Sequence, residues 1–158
     1  MIHSSKSITS LLLGRVAPLA LLLMTSANLY AQQPMSISLK GSAEVPPVNT
    51  SAKGSGQITV LPDHTVSGSI KTSGFIPTMA HIHEAAVGKN GPPIITLIKT
   101  ADDSFAVPAK ARLTDAQYTS FTAGELYLNV HSAQYPNGEI RAQLLRTEAA
   151  GTPTRAAH

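Results

Sequence analysis

Apolar and polar residues alternate over short stretches of this chain, and turn-forming residues separate those stretches. Alternation with a period of two is typical of β-strands that bury one face, because successive side chains point to opposite sides. The pattern therefore predicts an all-β fold, a sandwich or a barrel. The predicted strands are 35–39, 58–60, 66–70, 79–84, 94–99, 104–107, 125–131 and 139–145.

Turn residues and matching apolar positions predict which of these strands pair. The segment 66–70 follows the Pro62-Asp63 turn, so it is expected to form a hairpin with the strand before that turn. The segments 125–131 and 139–145 show the same alternation and are expected to pair as well.

Strand parity assigns the residues of the last two strands to opposite faces. The residues expected to point into the core are Leu126, Leu128, Val130, Ile140, Ala142 and Leu144. The residues expected outside are Tyr127, Asn129, His131 and Arg141. Glu139 lies close to Arg141 on that outer face, where we expect the two side chains to form an ion pair of modest energy.

Two further elements are predicted from local composition. The segment 94–99 is apolar enough to be a central strand of the sheet. A single short helix is predicted over 115–121, which contains no helix breaker. Thr114 and Gln117 have the spacing of a capping box at its start, and Gly124 marks its end.

The first 31 residues have the composition of a secretory signal peptide. Lys6 and Arg15 precede an apolar stretch over 16–24, and small and polar residues follow up to Ala31. Such a peptide ends with a small residue before the cleaved bond. Cleavage is expected after Ala31, although a cut after Ala27 also fits. The protein is thus expected to be exported, to the periplasm or out of the cell.

The remaining chain is predicted to contain one domain and a tail. Residues 32–146 are enough for a single hydrophobic core but not for two. The tail 147–158 lacks periodicity and has few large apolar residues, so we predict that it is disordered. No segment after the signal peptide approaches the roughly 20 apolar residues of a membrane helix, so no membrane span is expected.

Charge and cysteine content exclude several classes of function. The chain has 12 basic and 9 acidic residues, and loss of Lys6 and Arg15 with the signal peptide leaves 10 against 9. No basic cluster remains that could neutralise a row of phosphates, so nucleic acid is not an expected partner. The absence of cysteine excludes disulfides, thiol catalysis and thiolate metal ligands. With no nucleophile motif or phosphate-binding loop in the sequence, catalysis is not expected.

Three histidines have the placement of a metal site. His81 and His83 stand two residues apart on a predicted strand, so they share a face with Met79. His131 ends another strand and also lies opposite to the core parity. Neutral imidazoles bind copper, zinc and nickel, and a thioether would favour copper. The sequence therefore predicts a copper ion held by His81, His83 and His131, with Met79 as a candidate additional ligand.

An alternative without a metal stays open at this point. Histidines on the polar face of a strand are commonly solvated or hydrogen-bonded, and a pair at this spacing also occurs by chance. In that case the chain would be a structural or interaction module with an extracytoplasmic protein partner.

Four blocks of the sequence carry a resemblance to a known family. They are Leu39 to Pro47, Ala80 to His83, Tyr127 to His131 and Pro136 to Arg141. Together, and in this order, they resemble the CHRD domain, first recognised in chordin and found in many exported bacterial proteins. The resemblance implies an immunoglobulin-like β-sandwich or barrel, and it implies no particular biochemical role.

The three histidines alone also resemble the copper ligands of copper-zinc superoxide dismutases, which are Greek-key β-barrels. The chain has no candidate for the metal-bridging histidine, the zinc-binding loop or the cysteine pair of those enzymes. Only His81, His83 and His131 carry over, as copper ligands, while Arg141 corresponds loosely to an anion-guiding arginine.

The expected fold class is therefore an all-β, immunoglobulin-like or Greek-key sandwich or barrel with one short helix. The leading functional hypothesis is an exported, non-enzymatic copper-binding protein. The alternatives are an interaction module without metal and a copper-only enzyme resembling superoxide dismutase.

Overall fold

Nine β-strands, one α-helix and a 3₁₀ turn at Gly41–Ala43 form the part of the chain described by this computed structural model, namely Met1 and residues 33–146. The predicted tail and, apart from Met1, the predicted signal peptide lie outside the described residues. The elements are β1 (Met35–Lys40), β2 (Lys53–Val60), β3 (Val66–Ser73), β4 (Pro77–Glu84), β5 (Pro93–Thr96), β6 (Ile98–Ala101), β7 (Ser104–Ala106), α1 (Asp115–Thr122), β8 (Leu126–Ser132) and β9 (Ile140–Gln143).

All strand pairings are antiparallel, in the order β5-β4-β8-β9-β1-β2-β3-β7-β6. β5 and β6 lie at opposite ends of this order, yet only Leu97 separates them along the chain. One continuous stretch therefore pairs first with β4 and then with β7, which brings the two ends of the sheet together. The result is a nearly closed barrel, and the all-β prediction is confirmed.

The prediction of a single central strand over 94–99 is wrong. The stretch is divided into β5 and β6, and each pairs with the sheet on one side only. Its apolar character arises because Ile95 and Leu97 are buried in the core, while Ile98 is exposed.

The core consists of the apolar residues that alternate along the strands, and the six inward residues predicted for β8 and β9 are all buried. β8 and β9 pair as expected, with Leu128 opposite Ala142. The predicted hairpin is formed by β2 and β3, with Val60 opposite Val66. The burial of the six residues and the two strand pairings show that apolar alternation identified the core face of the strands.

The short helix is also confirmed. The Thr114 side chain accepts a hydrogen bond from the Gln117 backbone, and the Gln117 side chain accepts one from the Thr114 backbone. α1 contributes Phe121 to the core. In the described part of the chain, no helix has the length and apolar character needed to cross a membrane.

The expected exposure of the outer face is wrong for part of the sheet. Tyr127, Asn129 and Arg141 point away from the core, as their parity requires, but each is only 2% exposed. The loop 85–92 covers Tyr127 and Arg141, since Gly91 N donates to the Tyr127 hydroxyl and Arg141 donates to Lys89 O and to the Asn90 side chain. The Asn129 side chain lies beside Gly138 instead. The domain therefore has a buried polar layer outside its sheet in addition to its apolar core.

Truncation of Leu128 tests the assignment of the core face. Leu128→Ala should lower the free energy of unfolding by about 2–5 kcal/mol, because a fully buried side chain leaves a cavity. Leu145→Ala is the matched control: Leu145 is exposed, so the loss should stay below about 0.5 kcal/mol. Urea unfolding followed by circular dichroism measures both, and equal losses would contradict the assignment.

Candidate metal centre

The pairing of β4 with β8 brings the three predicted histidines together. Met79 lies opposite His131 and His83 lies opposite Tyr127 in this register. Because Ala80 and Ile82 occupy the core parity, His81, His83 and His131 share the outer face. Each of these three rings offers one nitrogen, and the three nitrogens lie within 4.8 Å of one another.

Backbone carbonyls orient two of the imidazoles. His83 Nδ1 donates to Gly91 O and His131 Nδ1 donates to Pro136 O, both at 2.9 Å. A carbonyl oxygen can only accept, so in the neutral rings the proton sits on Nδ1 and the lone pair on Nε2. This second-layer hydrogen bond is the usual support of a metal-binding histidine.

His81 is held differently. Its Nδ1 lies 2.9 Å from Nε2 of His131. Since Nε2 of His131 carries a lone pair, the proton in this bond belongs to His81 Nδ1. A metal ion bound by both nitrogens would replace that proton, and His81 would then carry its proton on Nε2.

The spacing of the nitrogens fits a bound ion. Metal–imidazole bonds of about 2.0–2.1 Å place ligand nitrogens roughly 2.9 Å apart in neighbouring positions and roughly 4.1 Å apart in opposite positions of the tetragonal shell that copper(II) prefers. The closest pair, His81 with His131, is at 2.9 Å and no pair exceeds 4.8 Å, so small ring rotations suffice. In addition, Nε2 of His83 is buried beside the Asn129 side chain, and because both His83 Nε2 and Asn129 Oδ1 are acceptors they do not pair with each other. A cation would satisfy the lone pair of His83 Nε2.

Burial favours the neutral form of the three rings. It lowers the pKa of His81, His83 and His131 because a buried imidazolium loses its hydration. Repulsion from neighbouring histidines lowers the pKa of His81 further, whereas the carbonyl acceptors partly oppose the shift in the other two. The lowered pKa of each ring favours its neutral form, which is the form that metal coordination requires.

Met79 lies on the same face at the edge of the cluster. It is 47% exposed and directly opposite His131 in the strand register. Its thioether is therefore available on the solvent side of the histidines, where a ligand could complete a coordination shell.

The ring of His83 packs against Tyr127, which also contacts Arg141. The ring of His83 lies parallel to that of Tyr127, with centroids 4.8 Å apart. The guanidinium of Arg141 lies 3.4 Å from the centroid of the same tyrosine ring. β8 lies between β4 and β9, so His83 and Arg141 reach Tyr127 from the strands on either side. Cation–π attraction contributes to this arrangement.

The expected ion pair between Glu139 and Arg141 is absent among the described residues. Glu139 instead accepts a hydrogen bond from Thr50 Oγ1 at 2.7 Å. Arg141 is engaged by Lys89 O, Asn90 and Tyr127. Because its side chain is almost completely buried, Arg141 is not placed to guide an anion towards the histidines.

One known family matches the sequence of the whole barrel. The profile described as CHRD domain matches residues 35–144, a range that contains all nine strands and the three histidines. The chain belongs to the CHRD domain family. No curated protein and no solved structure gives a significant match.

The CHRD domain also buries a carboxyl group that sequence reasoning did not single out. Glu44 is 6% exposed, and burial raises its pKa to about 7, with the charge of Arg141 opposing the shift. Its Oε1 and the Oδ1 of Asn129 have no hydrogen-bond partner in the described structure. Gly138 adopts φ +131° beside both residues, and a Cβ there would lie 2.6 Å from Glu44 Oε1. The only sequence signal for this residue was its position in the Leu39 to Pro47 block.

The raised pKa of Glu44 gives this CHRD domain a testable pH dependence. The carboxyl titrates near 4.5 when unfolded and near 7 when folded, so its ionisation destabilises the fold increasingly as pH rises from 4.5 to 7. Glu44→Gln removes that ionisation. The stability of the variant relative to wild type should therefore rise by about 3 kcal/mol between pH 4.5 and pH 8.

Urea unfolding of wild type and Glu44→Gln at several pH values measures the difference in their free energies of unfolding. Both proteins contain the same histidines, so histidine titration does not contribute to that difference. Glu125→Gln is the control, because Glu125 is exposed. A Glu44→Gln difference that is the same at every pH would contradict the prediction.

Proposed function

We propose that this CHRD domain is an exported metal-binding protein in which His81, His83 and His131 hold a copper ion and no reaction is catalysed. The observation that carries the proposal is the convergence of three imidazoles, one of them with a buried nitrogen that has no hydrogen-bond partner. A merely solvated histidine does not need a backbone carbonyl to fix its tautomer, whereas a metal ligand benefits from one.

The donor set favours copper among the divalent metals. The cluster consists of imidazoles, with no carboxylate in the group. Such nitrogen sites bind copper(II) more tightly than nickel or zinc. The thioether of Met79 on the same face adds a soft donor that also suits copper. A water molecule or Met79 would complete the shell.

The signal-peptide pattern of the first 31 residues supports export. The chain contains no cysteine, so its folding does not depend on disulfide formation in an oxidising compartment. In our proposal the protein meets its copper in the periplasm or outside the cell.

Copper(II) titration of the mature chain tests the proposal. His81→Ala, His83→Ala and His131→Ala should each weaken binding at least tenfold, since loss of a second-layer partner alone costs 10–100-fold in other metal sites. Electron paramagnetic resonance of the wild type should show nitrogen hyperfine structure. His64→Ala is the matched control, because His64 stacks on Tyr118 and lies outside the cluster. Unchanged affinity in all three cluster variants would leave the interaction module without metal as the better explanation.

Acidification should release the metal. Each ligand must be neutral to coordinate, so protons compete with copper once the pH falls below about 6.5. Because burial lowers the pKa of all three histidines, the steep loss should occur below the range in which a solvated histidine titrates. Apparent dissociation constants between pH 5 and pH 8 measure this, and an affinity that does not fall with pH would contradict imidazole ligation.

A further inference from the structure

The three histidines are not equally fixed, and this difference carries an inference about their roles. Nδ1 of His83 and Nδ1 of His131 each donate to a backbone carbonyl. As whole residues, His83 is 8% and His131 is 6% exposed, and His83 also stacks on Tyr127. Because these supports do not involve Nε2 of either ring, metal binding at Nε2 would leave them intact.

His81 has no comparable support in the described part of the chain. Its hydrogen bond is made to Nε2 of His131, which is itself a ligand nitrogen. A metal ion that binds His131 removes the acceptor of that bond. His81 is also partly exposed, so its ring has room to rotate. Whether His81 coordinates therefore depends on how strongly the bound ion favours a third nitrogen ligand.

Copper(II) requires a third nitrogen ligand more than copper(I) does. Copper(II) prefers tetragonal shells of four or more nitrogen and oxygen ligands. Copper(I) has a filled d shell and is stable between two imidazoles in line. With bonds of about 2.0 Å, such an arrangement places the ring centroids roughly 6 Å apart. The centroids of His83 and His131 are 6.4 Å apart.

We infer that His83 and His131 form a fixed clamp that is sufficient for copper(I), and that His81 is the ligand that selects copper(II). The inference rests on the proposed copper site and assigns different tasks to its members. When one electron, supplied by a reductant such as ascorbate, converts copper(II) to copper(I), the bond from copper to His81 Nδ1 breaks. The imidazole leaves as a neutral ring, so no proton is exchanged with solvent.

Separate titrations with the two ions test the inference. Copper(II) affinity is measured by competition with a nitrogen-oxygen chelator, and copper(I) affinity without oxygen by competition with bicinchoninate in the presence of ascorbate. His81→Ala should weaken copper(II) at least tenfold and change copper(I) by less than about threefold. His83→Ala and His131→Ala should weaken both ions. The potential of bound copper should then rise in His81→Ala by about 59 mV for each tenfold loss.

X-ray absorption of the wild type gives a measurement that does not depend on how the variants fold. It should show two imidazole nitrogens around copper(I) and three around copper(II). Three nitrogens around copper(I), or a copper(I) loss in His81→Ala as large as in His83→Ala, would overturn the inference while the copper site stands. Failure of the wild type to bind either ion would instead overturn the proposed function.

Discussion

The antiparallel register between β4 and β8 is the constraint on which the candidate metal centre depends. It places His83 opposite Tyr127 and His131 opposite Met79. A slip of β4 by one residue would exchange its two faces and turn His81 and His83 into the core, while His131 on β8 kept its face. The complete burial of Ile82 opposes such a slip, because its side chain would lose its apolar contacts. The hydrophobic packing that stabilises the barrel therefore also fixes the face and the strand positions from which the three imidazoles extend.

Apolar alternation predicted the core face of the strands, but it could not show what covers the other face. Strand parity predicts the face of the sheet to which a side chain points, and Tyr127 and Arg141 do point away from the core. Their burial depends on the path of the loop 85–92, whose contacts to Arg141 run through a backbone carbonyl and one amide side chain. The split of 94–99 was not predictable for a related reason, since an apolar run does not show with which strand each of its residues pairs.

The three histidines could be found from sequence because spacing and parity both depend on strand geometry. Their supports could not be found, because Gly91 and Pro136 contribute carbonyl oxygens that any residue carries. Glu44 was missed for another reason. A carboxylate is ordinarily solvated, and only the fold shows that this one is enclosed beside Gly138.

The stack of His83 on Tyr127 has an optical consequence. The chain contains no tryptophan, so its intrinsic ultraviolet fluorescence comes mainly from tyrosine, and Tyr118, Tyr127 and Tyr135 follow the expected cleavage site. Tyr127 lies 4.8 Å from an imidazole of the cluster, centroid to centroid. A paramagnetic copper(II) ion on that imidazole would quench the emission of this tyrosine, whereas copper(I), which has no unpaired electron, lacks that paramagnetic effect. The domain thus contains its own fluorophore beside the site, and the emission of Tyr127 would report occupancy by copper(II) without an added dye.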